Sequence, residues 1–308
     1  MSYLRNLIFF HTITPLHVGC GQDVGVVDLP VIRERTTGYP FIPGSGLRGS
    51  LRDLCSRKAA DDVDELFGPD ATALEDENAS RHAGCVAVHD AHLLLFPVRS
   101  QVAPFLWITC PAALRRFSRH AGLLLEDGGG WQIDPGAAPG EEELQGSFQE
   151  ASVYLEEIDF TAKPFPAMLP PWLAKLAAAL EAPEIADRAA LVSDATFHYF
   201  VTHATQVIQH NRLTAAKTVA EGQLFSVEAV PPEAYFYGFL GAADSRKPKS
   251  AEDGAASPRN REAALRSLRK LLTGDGEKGT QGFLQLGGDE GTGLGVTRAV
   301  WTGGGHGS

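Results

Sequence analysis

Hydrophobic and polar positions along this chain switch repeatedly between strand-like and helix-like spacing. Residues 3–14 are rich in β-branched and aromatic types and predict a first strand that ends at Pro15. A glycine-rich turn follows (Gly19, Gly21, Gly25), then a second extended segment from Val26 to Arg33. Tyr39-Pro40-Phe41-Ile42-Pro43 carries too much proline for a central strand. Leu47, Leu51 and Leu54 then recur at helical spacing and predict a helix from about Leu47 to Lys58, opened by Gly44-Ser45-Gly46. Residues 61–82 read as a polar, acidic loop, Cys85 to Val98 and Trp107 to Thr109 as strands, and Ala112 to His120 as a helix with Arg115, Arg116 and Arg119 outward. Residues 126–148 are rich in Gly, Pro and Glu and predict a mobile insertion. Helices are expected at 171–181, 183–190 and 194–204. The β pattern returns at Ile208, with Phe225, Val227 and Ala229 on one face. Residues 241–262 predict a further inserted loop, 262–272 a helix, and Phe283 to Val300 a strand, a glycine loop and a strand. No linker separates two cores, so the pattern predicts a single α+β domain over residues 1–308.

Composition adds limits. A chain of 308 residues, 44% hydrophobic and 21% charged, is not a disordered tail, a fibre or a disulfide-stapled miniprotein. The net charge of −11 argues against indiscriminate nucleic-acid binding. The acidity is local, however. Eight acids fall in residues 61–80 and seven in 141–159, where there is no Lys or Arg, and the rest of the chain holds 23 acids against 27 bases. A basic surface elsewhere stays open. The four cysteines (Cys20, Cys55, Cys85, Cys110) are scattered without a C-x-x-C pair, which suits a reducing cytosol and offers no zinc site. The first fifteen residues lack a signal-peptide cleavage region, and no apolar run nears the roughly 18 residues that span a bilayer. A soluble cytoplasmic protein is expected.

Three glycine-rich elements carry the candidate chemistry. Gly44-Ser45-Gly46-Leu47-Arg48-Gly49 matches G-x-G-x-x-G, but its proline-punctuated approach and acidic sequel do not make the βαβ unit that a dinucleotide needs. Backbone N–H groups at a helix start still attract phosphate. Arg48 and Arg52 lie one turn apart, Arg33 and Arg35 just upstream, and residues 31–58 hold six bases against two acids. This is either a groove that follows a phosphate backbone or a solvated helix face. The loop Gly287–Gly295 lies between two strands with no Lys after its last glycine, which excludes a P-loop. Such a loop either turns tightly or admits a partner backbone. Gly19-Cys20-Gly21 has the same strand-to-strand setting.

In order, His17-Val18-Gly19-Cys20-Gly21, Gly25 to Glu34 with its Asp28-Leu29-Pro30, Thr37 to Gly49, Phe96-Pro97-Val98-Arg99-Ser100 and the Gly287–Gly295 loop resemble the RAMP superfamily of CRISPR proteins. Within it the match runs closest to the backbone subunits of the type III-B (Cmr) effector. The type III-A (Csm) backbone subunits are the near neighbours, and the Phe-Pro-Val-Arg-Ser run and the length favour III-B. The resemblance implies an RRM-like, ferredoxin-like palm with inserted finger loops at about 61–82, 126–148 and 241–262, and a β-hairpin thumb at about 208–230. It implies copies stacked as a filament along a guide RNA, beside other type III effector subunits. Each copy then cuts complementary target RNA at regular intervals, next to a kink made by its thumb.

The resemblance also assigns residues. Asp28 matches the catalytic aspartate, and a divalent metal, Mg²⁺ or Mn²⁺, would sit there. A carboxylate beside an RNA phosphate can bind such a cation or help deprotonate the 2′-OH. His17 either neutralises charge at the cut or supports the backbone. Glu228 aligns with an acidic position near the active site, although Ala229 stands where an aromatic is common. RNA contacts fall to Arg33, Arg35, Ser45, Arg48, Arg52, to Arg212 and Lys217 near the thumb tip, and to Gly287, Gly288 and Gly293. Leu294 replaces a basic residue often found in that last loop. Strand alternation would put Asp90 and His92 on one face as a conceivable metal pair, but a structural hydrogen bond is the better expectation for Asp90. Two other functions stay in view: a non-catalytic guide-RNA scaffold, and a small-molecule enzyme whose glycine loops hold a nucleotide. The acidic blocks are expected to face away from RNA.

Overall fold

Leu7 and Phe9 point to one side of the first strand, β1 (Leu4–Thr12), and Ile8 and Phe10 to the other, and all four are buried. That alternation of apolar groups on both faces demands cover on both faces. The computed structural model describes residues 3–22, 25–58, 63–69, 82–213, 219–247, 260–274 and 280–302. β1 is flanked by β12 (Tyr235–Ala242) and β14 (Val296–Thr302), both antiparallel to it. β13 (Gln281–Gln285) pairs with β14 at the edge. On the other side β12 pairs with β3 (Val86–Val88) and β4 (Ala91–Arg99), and β4 pairs in turn with β2 (Phe41–Ile42) and β5 (Phe105–Thr109). The sheet continues through β9 (Ala189–Leu191), β6 (Glu143–Gly146), β8 (Ile158–Pro164) and β7 (Ser152–Leu155).

One face is covered by α1 (Gly44–Arg57) and α7 (Arg261–Thr273), which bury Leu47, Leu51, Cys55, Leu265 and Leu268 against Ile8, Phe10 and Phe236. The opposite face is covered by α3 (Pro111–Leu124) and α4 (Leu169–Leu180), with Phe117 packed among Phe9, Trp131, Trp172 and Tyr237. Short α2 (Val63–Phe67) follows α1, and α5 (Ile185–Arg188) and α6 (Asp194–His203) flank β9. The expected α+β palm is present. A separate two-stranded hairpin, β10 (Gln206–Leu213) with β11 (Val219–Ala229), projects from it where the thumb is expected.

Several expectations are corrected. The loop expected from residue 61 includes α2, which buries Leu66 and Phe67. The strand expected over Cys85 to Val98 is broken at His89 and Asp90 into β3 and β4. Arg116, expected to face outward, turns in to pair with Glu34. Residues 126–148 are built into the fold, because Trp131 and Ile133 are buried in the second core and β6 pairs with both β9 and β8. The helix expected over 183–190 stops at Arg188, where the chain turns to pair parallel with β5. The expected loop at 241–262 starts too early, since Gly241 and Ala242 belong to β12. Most of the 61–82 and 241–262 insertions lie outside the described residues.

Candidate active site at the root of the hairpin

β11 is paired along both edges. β10 runs antiparallel on one side, and on the other Leu29 forms a parallel bridge to Val227, with Leu29 N donating to Ser226 O (3.0 Å) and Glu228 N donating to Leu29 O (2.9 Å). This ladder holds the 28–31 segment against the hairpin root. Pro30 and Val31 are also paired to the strand-like 18–20 segment, through Cys20 N to Pro30 O (3.2 Å) and Ile32 N to Val18 O (2.7 Å).

Alternate residues of β11 then reach this segment with their side chains. Ser226 N and Oγ both donate to Asp28 Oδ2 at 2.8 Å, and Asp28 N donates back to Ser226 Oγ at 3.0 Å. Those hydrogen bonds hold the Asp28 carboxyl below its usual range, the backbone bond from Ser226 first. Asp28 is exposed, so a charged carboxylate faces outward with Oδ2 engaged. Two residues on, Glu228 is buried and its carboxylate accepts from Val31 N (2.9 Å), Arg33 Nη2 (2.5 Å) and the Thr205 hydroxyl (2.8 Å).

His17 is buried on the same strand root. Its Nδ1 lies 2.6 Å from Glu228 O, and a carbonyl only accepts, so Nδ1 carries a proton and donates it there. Nε2 faces Gly19, where an added Cβ would come within 2.6 Å of it. Gly287 (φ +74°) turns the last glycine loop so that Gly288 N donates to His17 O at 2.9 Å, and a Cβ at Gly287 would meet that oxygen at 2.1 Å. The first and third glycine-rich elements therefore meet at His17. Gly287, Gly288 and Gly293 are all exposed, and Leu294 is buried.

The basic residues divide. Arg33 gives Nη1 to Gly38 O and Val201 O and Nη2 to Glu228, so its donors hold the fold together. Arg35 is exposed in the following turn. Ser45 is exposed in the first turn of α1. Arg48 donates to Phe67 O and lies over the Phe67 ring, while Arg52 donates to Gly68 O (2.6 Å) and pairs with Asp64 (3.2 Å), so both cap the end of α2. Arg212 falls in β10, and Lys217 lies outside the described residues. Asp90 sits between β3 and β4 rather than within a strand, and its Oδ1 accepts from Gly44 N at 2.7 Å. His92 instead donates from Nδ1 to Glu34 Oε1 (2.6 Å), so the two are not a metal pair. Ser226 and Thr205 were not among the sequence candidates.

Among the described residues no group of three or more His, Cys, Asp or Glu gathers to hold a metal ion. Asp28 offers one carboxylate oxygen, Oδ1, beyond its bonds to Ser226. That donor set fits a hydrated Mg²⁺ or Mn²⁺ taking its other ligands from phosphate and water, not a cation caged by protein alone. Among the described residues no helix is long and apolar enough to cross a membrane.

The sequence profile of the RAMP superfamily matches residues 9–298. The chain belongs to the RAMP superfamily. It is 29% identical over 307 residues to the CRISPR system Cmr endoribonuclease Cmr4 of Pyrococcus furiosus, covering 96% of this chain and 94% of that protein. The RAMP fold here is similar to that of oligomeric Cmr4 from Pyrococcus furiosus, with a TM-score of 0.71 at 23% identity over 98% of this chain and 99% of that one. It is similar as well to a chain of the type III-B Cmr-beta complex bound to cognate target RNA, with a TM-score of 0.72 at 21% identity over 97% of each chain.

Proposed function

We propose that this RAMP protein is a backbone subunit of a type III-B CRISPR effector, stacking with its own copies along a guide RNA and cutting complementary target RNA at regular intervals. The observation that carries the reading is the exposed Asp28 carboxylate, held by Ser226 at the root of a projecting hairpin. The likeness to a Cmr endoribonuclease over nearly the full length of both chains supports it.

In this reading the hairpin is the thumb that interrupts the guide–target duplex, and the cut falls beside it. Asp28 Oδ1 accepts the proton of the 2′-OH next to the scissile phosphate. The freed 2′-oxygen attacks that phosphorus in line, the bond to the 5′-oxygen breaks, and the leaving 5′-oxygen takes a proton from water, giving a 2′,3′-cyclic phosphate and a 5′-OH. A divalent cation, when bound at Asp28, supplies positive charge against the phosphate. His17 ties the adjoining glycine turn to β11, with its Nδ1 on Glu228 O and its carbonyl oxygen accepting from Gly288 N. Arg35, Ser45, Arg48, Arg52, Arg212 and Lys217 supply contacts to RNA phosphates, with Gly287, Gly288 and Gly293 giving the backbone close approach. Arg33 and Glu228 support Asp28 from beneath. The protein works in the cytoplasm with the other subunits of the effector.

The test is cleavage of a labelled, guide-complementary RNA by the assembled complex, comparing wild type with Asp28→Ala, with Mg²⁺ or Mn²⁺ and with chelator. Regularly spaced cuts that need the metal and vanish in the variant, while guide and target still bind, are expected. A wild-type complex that binds both RNAs and never cuts would make the chain a scaffold.

A further inference from the structure

We propose that Ser226 is the positioning residue for cleavage, clamping Asp28 through Oδ2 so that Oδ1 alone is presented to the target RNA. The inference rests on the reading of Asp28 as the cleaving carboxylate.

Ser226 is 5% exposed, and its hydroxyl both donates to and accepts from one residue. It spends its single proton on Asp28 Oδ2 and receives the Asp28 amide on a lone pair. The direction of the hydroxyl is therefore fixed by both ends of the same aspartate. Ser226 N adds a third bond, also to Oδ2.

The strand register explains why this arrangement is built at residue 226. Both backbone groups of Ser226 point away from β10, toward the 28–29 segment, with its oxygen accepting from Leu29 N. A continuing parallel ladder would bring a backbone carbonyl to Ser226 N. The Asp28 side chain takes that place and ends the ladder. An exposed aspartate on a loop ordinarily samples several rotamers, and an active carboxylate must be held close to one geometry. Here a buried residue of a paired strand supplies the restraint, and both of its donors converge on one carboxylate oxygen. A hydroxyl that served packing alone would have no need of that convergence.

The experiment uses the assembled effector and a guide-complementary target under single-turnover conditions, with Ser226→Ala, Ser226→Thr and Asp28→Ala beside wild type. Complex assembly and the Kd for target are measured in the same samples. Expected is a cleavage rate about ten to a hundred times lower for Ser226→Ala, with target Kd within about twofold of wild type. Ser226→Thr keeps the hydroxyl on a residue that strands favour and restores the rate to within a few fold. If Ser226→Ala cuts at the wild-type rate while Asp28→Ala is dead, Asp28 remains the cleaving group and the proposal for Ser226 falls. An alanine defect that threonine does not relieve, or that comes with matching loss of target binding or assembly, makes Ser226 a packing residue and also overturns it. If Asp28→Ala cuts normally, the underlying reading of Asp28 fails and the proposal fails with it.

Discussion

Arg33 and Glu228 meet at 2.5 Å between Nη2 and Oε1, 195 residues apart in sequence, directly behind the segment that carries Asp28. Both side chains are largely out of water, at 21% and 8% exposure. The contact ties the 31–33 segment to β11, and Arg33 extends it to the carbonyls of Gly38 and Val201.

Glu228→Ala would leave the Arg33 charge, the Val31 amide and the Thr205 hydroxyl without their acceptor. Breaking one partner of such a pair costs about 3 kcal/mol. Thermal unfolding is expected to drop accordingly, with Glu228→Gln recovering part of the loss because an amide oxygen still accepts. A Glu228→Gln protein of wild-type stability that cannot cut would instead put Glu228 at the reaction itself.

The neighbouring arginine should behave differently. Arg35 is exposed and makes no hydrogen bond or ion pair among the described residues. Arg35→Ala is expected to change stability by less than about 0.5 kcal/mol. If it holds one RNA phosphate, the salt slope of guide binding falls by about 0.7. Titrating guide RNA at several salt concentrations, with Arg33→Ala as the stability-defective contrast, separates the two roles.

How far the sequence reaches is visible in particular elements. β1, α1, α7 and the paired final strands are legible because apolar positions repeat at their own periods. β12 lies at the centre of the sheet and escaped notice, since all eight of its residues are buried and nothing alternates. The short β6, β7 and β8 sit in an acidic, glycine-containing stretch whose sheet partners are supplied by distant segments. At the site, Asp28, His17 and Glu228 were legible only through the resemblance to the RAMP family. Ser226 carried no signal at all: it is a lone hydroxyl between Phe225 and Val227, and its partner lies 198 residues away. Arg48 and Arg52 illustrate the opposite limit, because a basic helix face does not reveal that α2 will turn its carbonyls toward it.

Glu34 predicts an acid transition. Burial alone would raise its carboxyl, but hydrogen bonds from His92 and Thr37 and the Arg116 guanidinium outweigh burial and hold it at about 2, against an ordinary 4.5. A lowered folded value means that this stability is complete above pH 4.5 and is lost as pH falls through about 2. Denaturant titrations across that window should show a steeper decline for wild type than for Glu34→Gln, which has no proton to take up.

Gly44 predicts a packing failure at the start of α1. A Cβ there would lie 2.6 Å from Val88 O and 3.0 Å from the His89 carbonyl carbon, both backbone atoms with little room to yield. Gly44→Ala is expected to cost about 1–3 kcal/mol in chemical denaturation. Gly46→Ala, with nothing within 4 Å of the added carbon, is the control and should hold stability or raise it.

β11 is a single unbroken strand of 11 residues whose outer part forms the hairpin and whose inner part grips Asp28 through Ser226. With the hairpin as thumb and Asp28 as the cutting group, as proposed, the gauge that marks a place on the duplex and the blade that cuts there would be machined on one bar. In a stack of identical copies, small shifts between neighbours would change the spacing between marks, yet each cut would keep its own offset from its own mark. On that reading the precision of cutting would be a property of one chain's tertiary structure, and only the interval between cuts would belong to the assembly.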